Sequence, residues 1–114
     1  MKVALVEDDQ ALAALEAAVL EHDHDVTVIA GDFAELLTDA PWAGVDVAVV
    51  DLMLPGVAGE AIVRYLRDHH PHIRRVVATA KPFHELAELL PDAHTVLLKP
   101  FSPDQLREAV GWTA

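Results

Sequence analysis

The chain has no cysteine, which excludes disulfides, thiolate nucleophiles and thiolate metal sites. It is also short of cations. Eight Lys and Arg stand against 19 Asp and Glu, a formal charge of -11 at pH 7, and that balance opposes sequence-independent binding to phosphate backbones or anionic membranes. Direct nucleic-acid partners are therefore not expected. No apolar run approaches the length of a membrane span, and Met1-Lys2-Val3-Ala4-Leu5-Val6-Glu7 reaches acidic residues too early to hold a signal-peptide core. The expectation is a soluble, unexported protein in a cytoplasmic setting. Aromatics make up only 5% of the residues, and Trp42 and Trp112 are read as sealing the ends of the core, not as a stacking platform for bases. With 114 residues, 53% of them hydrophobic, the chain has the size of one globular domain, 1–114, with one core. A separate output domain is not expected.

What is present is organised around Val45-Asp46-Val47-Ala48-Val49-Val50-Asp51-Leu52-Met53-Leu54-Pro55-Gly56. The run Val47 to Val50 lacks the alternation of a half-exposed strand and fits one covered on both faces, as in parallel α/β sheets. In such sheets ligands bind beyond the carboxyl ends of the strands, where Asp51 emerges. The competing role for Asp51, capping the next helix, is weakened by Pro55-Gly56, which intervene before a helix can start.

Along the chain, Lys2 to Val6 reads as a strand ending in Glu7-Asp8-Asp9. A helix from Gln10 to about His22 follows, with Asp9 as its N-cap and Leu12, Leu15 and Val19 at helical spacing. Asp25 to Ala30 is a strand, Phe33 to Asp39 a short helix, and Pro41 and Gly44 break the chain before the central strand. A helix from about Ala58 to His69 puts Ile62, Val63 and Leu66 on one face and stops at Pro71. Arg74 to Thr79 is a strand, Phe83 to Leu90 a short helix, His94 to Leu98 a strand, and Pro103 to Val110 a last helix capped by Ser102. Strand and helix alternate five times. That pattern predicts a parallel sheet with helices on both faces.

Glu7-Asp8, Asp51, Thr79 and Lys99 each follow an apolar strand, so they are expected at one edge of the sheet. Clustered carboxylates there suit a hard divalent cation such as Mg²⁺, which keeps some waters and leaves room for a phosphoryl oxygen. Asp51 can then act as a nucleophile that needs no base, with Lys99 and Thr79 supplying a cation and a hydroxyl donor. Taken singly, Thr79 reads as a strand residue, Lys99 as a surface charge and Glu7-Asp8-Asp9 as an acidic helix start. The combination is more specific than any member.

Val6-Glu7-Asp8-Asp9, Val50-Asp51-Leu52-Met53-Leu54-Pro55-Gly56, Ala78-Thr79-Ala80 and Leu98-Lys99-Pro100-Phe101 resemble, in order, the motifs of the receiver domain of bacterial two-component response regulators. The resemblance implies a flavodoxin-like, doubly wound five-stranded parallel sheet. It implies that Asp51 accepts a phosphoryl group and slowly loses it by hydrolysis. Glu7, Asp8, Asp51 and the backbone carbonyl of Met53 would hold Mg²⁺, with Thr79 and Lys99 on the phosphoryl group and a cis bond before Pro100. The partners it implies are a sensor histidine kinase or histidine phosphotransfer protein and a downstream protein target, and it leaves room for a homodimer. The phosphodonor is expected to approach over the start of the first helix, where Ala11, Leu12 and Leu15 are small or apolar.

Departures from the family pattern are specific. Val96 stands where an aromatic switch residue is usual, and the segments from Asp51 to Thr79 and from Thr79 to Lys99 are shorter than usual. These leave open, as the alternative reading, a receiver-like protein-binding module that works without phosphorylation, against which the retention of Asp51, Thr79 and Lys99 argues. A phosphatase with an aspartate nucleophile is disfavoured, because it wants an acid where Met53 stands. Lys81-Pro82-Phe83 copies Lys99-Pro100-Phe101, but only Lys99 closes an apolar strand. The groups His22-Asp23-His24 and His69-His70-Pro71-His72 lie at predicted helix ends, and no spacing among them matches a tetrahedral metal site.

Overall fold

The structure, a computed structural model, describes residues 1–29, 33–54 and 58–111. Five strands form one parallel sheet: β1 (Lys2–Val6), β2 (Asp25–Ile29), β3 (Val47–Asp51), β4 (Arg74–Thr79) and β5 (Thr95–Leu98), in the order β2-β1-β3-β4-β5. Every residue of β3 is buried, as its unbroken apolar run requires. The order reverses between β1 and β3, so the carboxyl ends of those two strands open a crevice at the switch point.

Side chains alternate across the sheet and divide the core in two. Ala4, Val6, Ala48, Val50 and Val77 face the helix α2 (Ala58–His69) through Ile62, Val63 and Leu66. On the other face Val3, Leu5, Val47, Val49, Val76 and Leu97 meet α1 (Gln10–Leu20) and α3 (Pro103–Val110). α1 starts at the expected cap, the Asp9 carboxylate accepting from the Leu12 N–H at 3.0 Å. α3 starts with a capping box, Ser102 Oγ accepting from Gln105 N and the Gln105 side chain accepting from Ser102 N.

Two expected helices are not α-helices. Phe33 to Asp39 holds a 3-10 helix, Phe33–Leu37, followed by a second at Ala40–Trp42. Trp42 is buried and its indole N–H donates to the Leu36 carbonyl at 2.8 Å, so it does seal that end of the core. The β4–β5 crossover has 3-10 helices at Phe83–Glu85 and Leu90–Asp92 in place of the helix expected over Phe83 to Leu90. The physical cause is a segment with Pro82 at its start and Pro91 near its end, which must sink Leu86 and Leu89 into the core. The buried Arg75 guanidinium pins the far end by donating to the Asp92 carbonyl at 2.6 Å. α1 and β5 are each one or two residues shorter than expected at one end, and the expected positions Ala30, Pro55, Gly56 and Trp112 lie outside the described residues. No helix among the described residues is long and apolar enough to cross a membrane.

Candidate functional site at the carboxyl ends of the strands

Backbone pairing brings the site together. The Glu7 N–H continues the ladder from β1 to the Ile29 carbonyl, the Leu52 N–H reaches the Ala78 carbonyl, and the Lys99 N–H reaches the Thr79 carbonyl at 2.8 Å. Glu7, Asp51, Thr79 and Lys99 therefore leave neighbouring strands at one level. The side chains converge: Lys99 Nζ lies 3.2 Å from Asp51 Oδ2 and 3.8 Å from Glu7 Oε2. Asp51 and Glu7 are almost fully buried, and Thr79 is fully buried. The Lys99–Pro100 bond is cis, as expected. It is the Lys99 ammonium, not that of Lys81, that stands on the two carboxylates. Lys81 contributes its backbone N–H, which donates to Thr79 Oγ1 at 3.0 Å.

Local hydrogen bonds hold the carboxylates in place. Asp51 Oδ1 accepts from the Met53 N–H at 2.9 Å, and Glu7 Oε1 accepts from the Asp9 N–H at 3.1 Å. Burial pushes the Glu7 carboxyl up to about 7; the Asp9 N–H and Lys99 oppose the shift, and its hydrogen bond to Asp51 and that residue's charge add to it. Two buried acids facing one lysine make a pocket of oxygen donors with spare negative charge, a donor set that suits a hard cation. Asp8 is exposed beside them, and among the described residues no three His, Cys, Asp or Glu side chains close into a metal-holding group.

Other sequence candidates lie elsewhere. His70 Nε2 sits 2.9 Å from Asp39 Oδ1, which also accepts from the Tyr65 hydroxyl, and His69 stacks on Tyr65 with ring centroids 4.3 Å apart. His70 thus reaches across to the segment before β3, while His69 stays on its own helix. Val96 packs half-buried beside Val77, Leu86, Leu89, Leu90 and Ala93. On α1 the buried residues are Ala13, Glu16, Ala17 and Leu20, while Leu15 is 67% exposed. Two contributors went unnoticed in the sequence. Gly59 brings α2 against the end of β3, where a Cβ on it would lie 2.7 Å from the Asp51 carbonyl oxygen. Glu16 is buried on α1, and burial first, then the Glu7 charge, pushes its carboxyl up to about 7.

Residues 3–111 match the family model described as the response regulator receiver domain. The chain belongs to this family. Among curated relatives, the DNA-binding response regulator MtrA of Mycobacterium tuberculosis (strain ATCC 25618 / H37Rv) is 31% identical over 106 residues, covering 92% of this chain and 46% of that protein. The sensor histidine kinase TmoS of Ectopseudomonas mendocina is 34% identical over 113 residues, covering 96% of this chain and 12% of the kinase. The chain thus spans just under half the length of the MtrA regulators and a small part of TmoS. Among solved structures, the receiver domain of the Francisella response regulator 1452 is 29% identical with a TM-score of 0.78, covering 92% of this chain and 88% of that one. The signal receiver domain of a LuxO repressor protein from Vibrio parahaemolyticus shares the fold, with a TM-score of 0.83 at 23% identity, covering 96% and 85%. The flavodoxin-like receiver fold is thereby shown.

Proposed function

We propose that this receiver domain takes a phosphoryl group from a phosphohistidine donor onto Asp51 and later loses it to water. The observation that carries the reading is the Lys99 ammonium 3.2 Å from the buried Asp51 carboxylate. An Asp51 oxygen attacks phosphorus in line, the O–P bond forms as the N–P bond of the donor breaks, and the departing imidazole, already carrying a proton on its other nitrogen, keeps the electron pair and leaves as the neutral ring. Lys99 follows the negative charge from the carboxylate to the phosphoryl oxygens. Thr79 Oγ1, already accepting from the Lys81 N–H, has its own hydrogen free to donate to a phosphoryl oxygen. Glu7, Asp8, Asp51 and the Met53 carbonyl would hold Mg²⁺ with water completing its shell, and the ion would neutralise charge on the transferred group. The setting proposed is cytoplasmic, with a sensor kinase or histidine phosphotransfer protein as donor and a protein as target.

The test is labelling by acetyl phosphate. With Mg²⁺ the wild type is expected to gain one phosphoryl group by intact mass and Asp51→Asn none; equal labelling of both would remove Asp51 from the role. The donor's expected approach is over Ala11 and Leu15, both exposed at the start and middle of α1. A charge at Ala11 should slow transfer from a protein donor while acetyl phosphate labelling continues, and loss of both would place the damage in the site instead.

A phosphorylation-independent binding module is the second reading, and the 3-10 crossover beside Val96 favours it. A wild type that takes no label, yet holds its target, would select it.

A further inference from the structure

α1 and α3 lie on the same face of the sheet, and the seam between them is open. Leu12, Leu15 and Val19 line it from α1, with Phe101, Pro103 and Leu106 opposite, around a groove of about 220 Å³. Leu15 stands exposed at the rim. Within these apolar walls lies one charge-bearing group. Glu16 lines the groove, is only 4% exposed, and its Oε1 is buried without a hydrogen-bond partner. A buried carboxylate oxygen that lacks a donor is costly; of the other lining residues only Ser102 is polar, and its Oγ is engaged with the Gln105 N–H while Glu16 Oε1 stays without a partner. Lys99, a cation within electrostatic reach, is committed to Asp51 and Glu7. Among the described residues no Lys, Arg or His forms an ion pair with Glu16.

We propose that this groove receives a single Lys or Arg side chain, presented among apolar residues by a protein partner, with Glu16 as its counter-charge. Size, lining and charge agree. A groove of about 220 Å³ falls below the usual range for small-molecule pockets, roughly 300–1,000 Å³, and suits one long side chain. Apolar walls match the methylene stem of Lys or Arg, while the head needs an anion at the end of its path. The overall charge of -11 draws a basic segment and repels phosphate-bearing polymers and anionic lipid. The exposed Leu15 supplies an apolar contact beside the entry. Leu12 and Leu15 also belong to the face over which the phosphodonor is proposed to approach, so the proposal rests on that reading of α1 as a partner surface; a test that reads the groove without phosphoryl transfer keeps its failure distinct from failure of the chemistry at Asp51.

The side-chain mimic n-hexylguanidinium chloride can be titrated into the intact protein while the methyl resonances of Leu12, Leu15 and Leu106 are followed by NMR. Saturable shifts are expected. Binding should weaken about tenfold when Glu16→Gln replaces the carboxylate, or when hexanol replaces the guanidinium, the effect of one charge-assisted hydrogen bond. Glu16→Leu serves the same comparison should the glutamine variant not fold. An Ala- and Leu-rich helical peptide with one central Arg should then bind more tightly than its norleucine counterpart, and only to the wild type. Equal affinity of wild type and Glu16 variants for the mimic would overturn the proposal. So would an Arg peptide no better than the norleucine peptide, since the groove would then accept a small cation but not a protein. If concentrating the protein alone shifts the same methyls and doubles its mass, the occupant is a second copy and the proposal also fails.

Discussion

Gly59→Ala is expected to destabilise the domain by about 2 kcal/mol and lower its melting temperature by roughly 8–10 °C. The sign is the opposite of the usual one. Within a helix alanine is better than glycine by up to about 1 kcal/mol, and Gly59, in the first turn of α2, has no left-handed backbone that would forbid a side chain. The obstacle is space: the added Cβ would lie 2.7 Å from the Asp51 carbonyl oxygen, 3.0 Å from Leu52 Cα and 3.1 Å from Leu52 Cδ2. Two of these atoms are backbone at the carboxyl end of β3, so relief requires α2 to move out or the strand end to shift. Either movement disturbs Asp51, whose Oδ2 is held 3.2 Å from Lys99. Acetyl phosphate labelling of the variant, measured well below its melting temperature, should therefore also be slower than wild type. An unchanged or raised melting temperature by calorimetry would show that the close approach is not tight, and would remove Gly59 as a positioning residue.

The strands were legible because their signal is local. Val47 to Val50 cannot be an amphipathic element, and its burial on both faces follows from composition alone. α3 was legible from its caps, since Ser102, Pro103 and Gln105 supply every part of an N-terminal signature. The crossover between β4 and β5 was not, because Leu86, Leu89 and Leu90 have helical spacing whether the backbone follows α or 3-10 geometry. Pro82 and Pro91 confine the segment, and the bond from Arg75 to the Asp92 carbonyl that pins its far end is tertiary and displayed by no local pattern.

The candidate site was legible as an edge of the sheet, because each of its residues follows an apolar strand and parallel order sets them side by side. Choosing Lys99 over Lys81 also followed from position, and the ammonium does face Asp51 and Glu7. The orientation of α1 was harder to read. Its Ala-rich sequence offers more than one apolar stripe: Leu12, Leu15 and Val19 recur at helical spacing, Ala11, Leu12 and Leu15 are also expected to face the phosphodonor, and nothing in the pattern marks Glu16 as buried. In the fold the stripe of Ala13, Ala17 and Leu20 lies on the sheet instead, carrying Glu16 in with it and leaving Leu15 outside. The small side chains of Ala13 and Ala17 let the helix sit close to β1 and β2.

That rotation leads to the second large effect: Glu16→Leu should stabilise the domain, and the gain should grow with pH. Burial raises the Glu16 carboxyl from 4.5 to about 7, with the Glu7 and Asp51 charges adding and Lys99 opposing. A carboxyl whose folded value is raised favours the folded state only while protonated. The wild type therefore suffers no ionisation penalty below about pH 4.5, loses stability as pH rises towards 7, and carries the whole penalty above that. The displacement corresponds to about 3 kcal/mol as an upper figure, because the charges at Glu7, Asp51 and Lys99 titrate together with it. Leucine has nearly the same size, adds apolar contact with Leu12, Val19 and Leu106, and leaves no oxygen unpaired. At pH 8 the variant should melt on the order of 10 °C above wild type, and near pH 4.5 the difference should shrink to the part due to packing alone. Glu16→Gln separates the two contributions, since it removes the charge but keeps a buried polar group that still lacks a partner. It should gain less than leucine at pH 8 and nothing in mild acid. A difference between Glu16→Leu and wild type that stays constant from pH 4.5 to 8 would mean that the carboxyl is not held out of water, and the groove would lose its counter-charge.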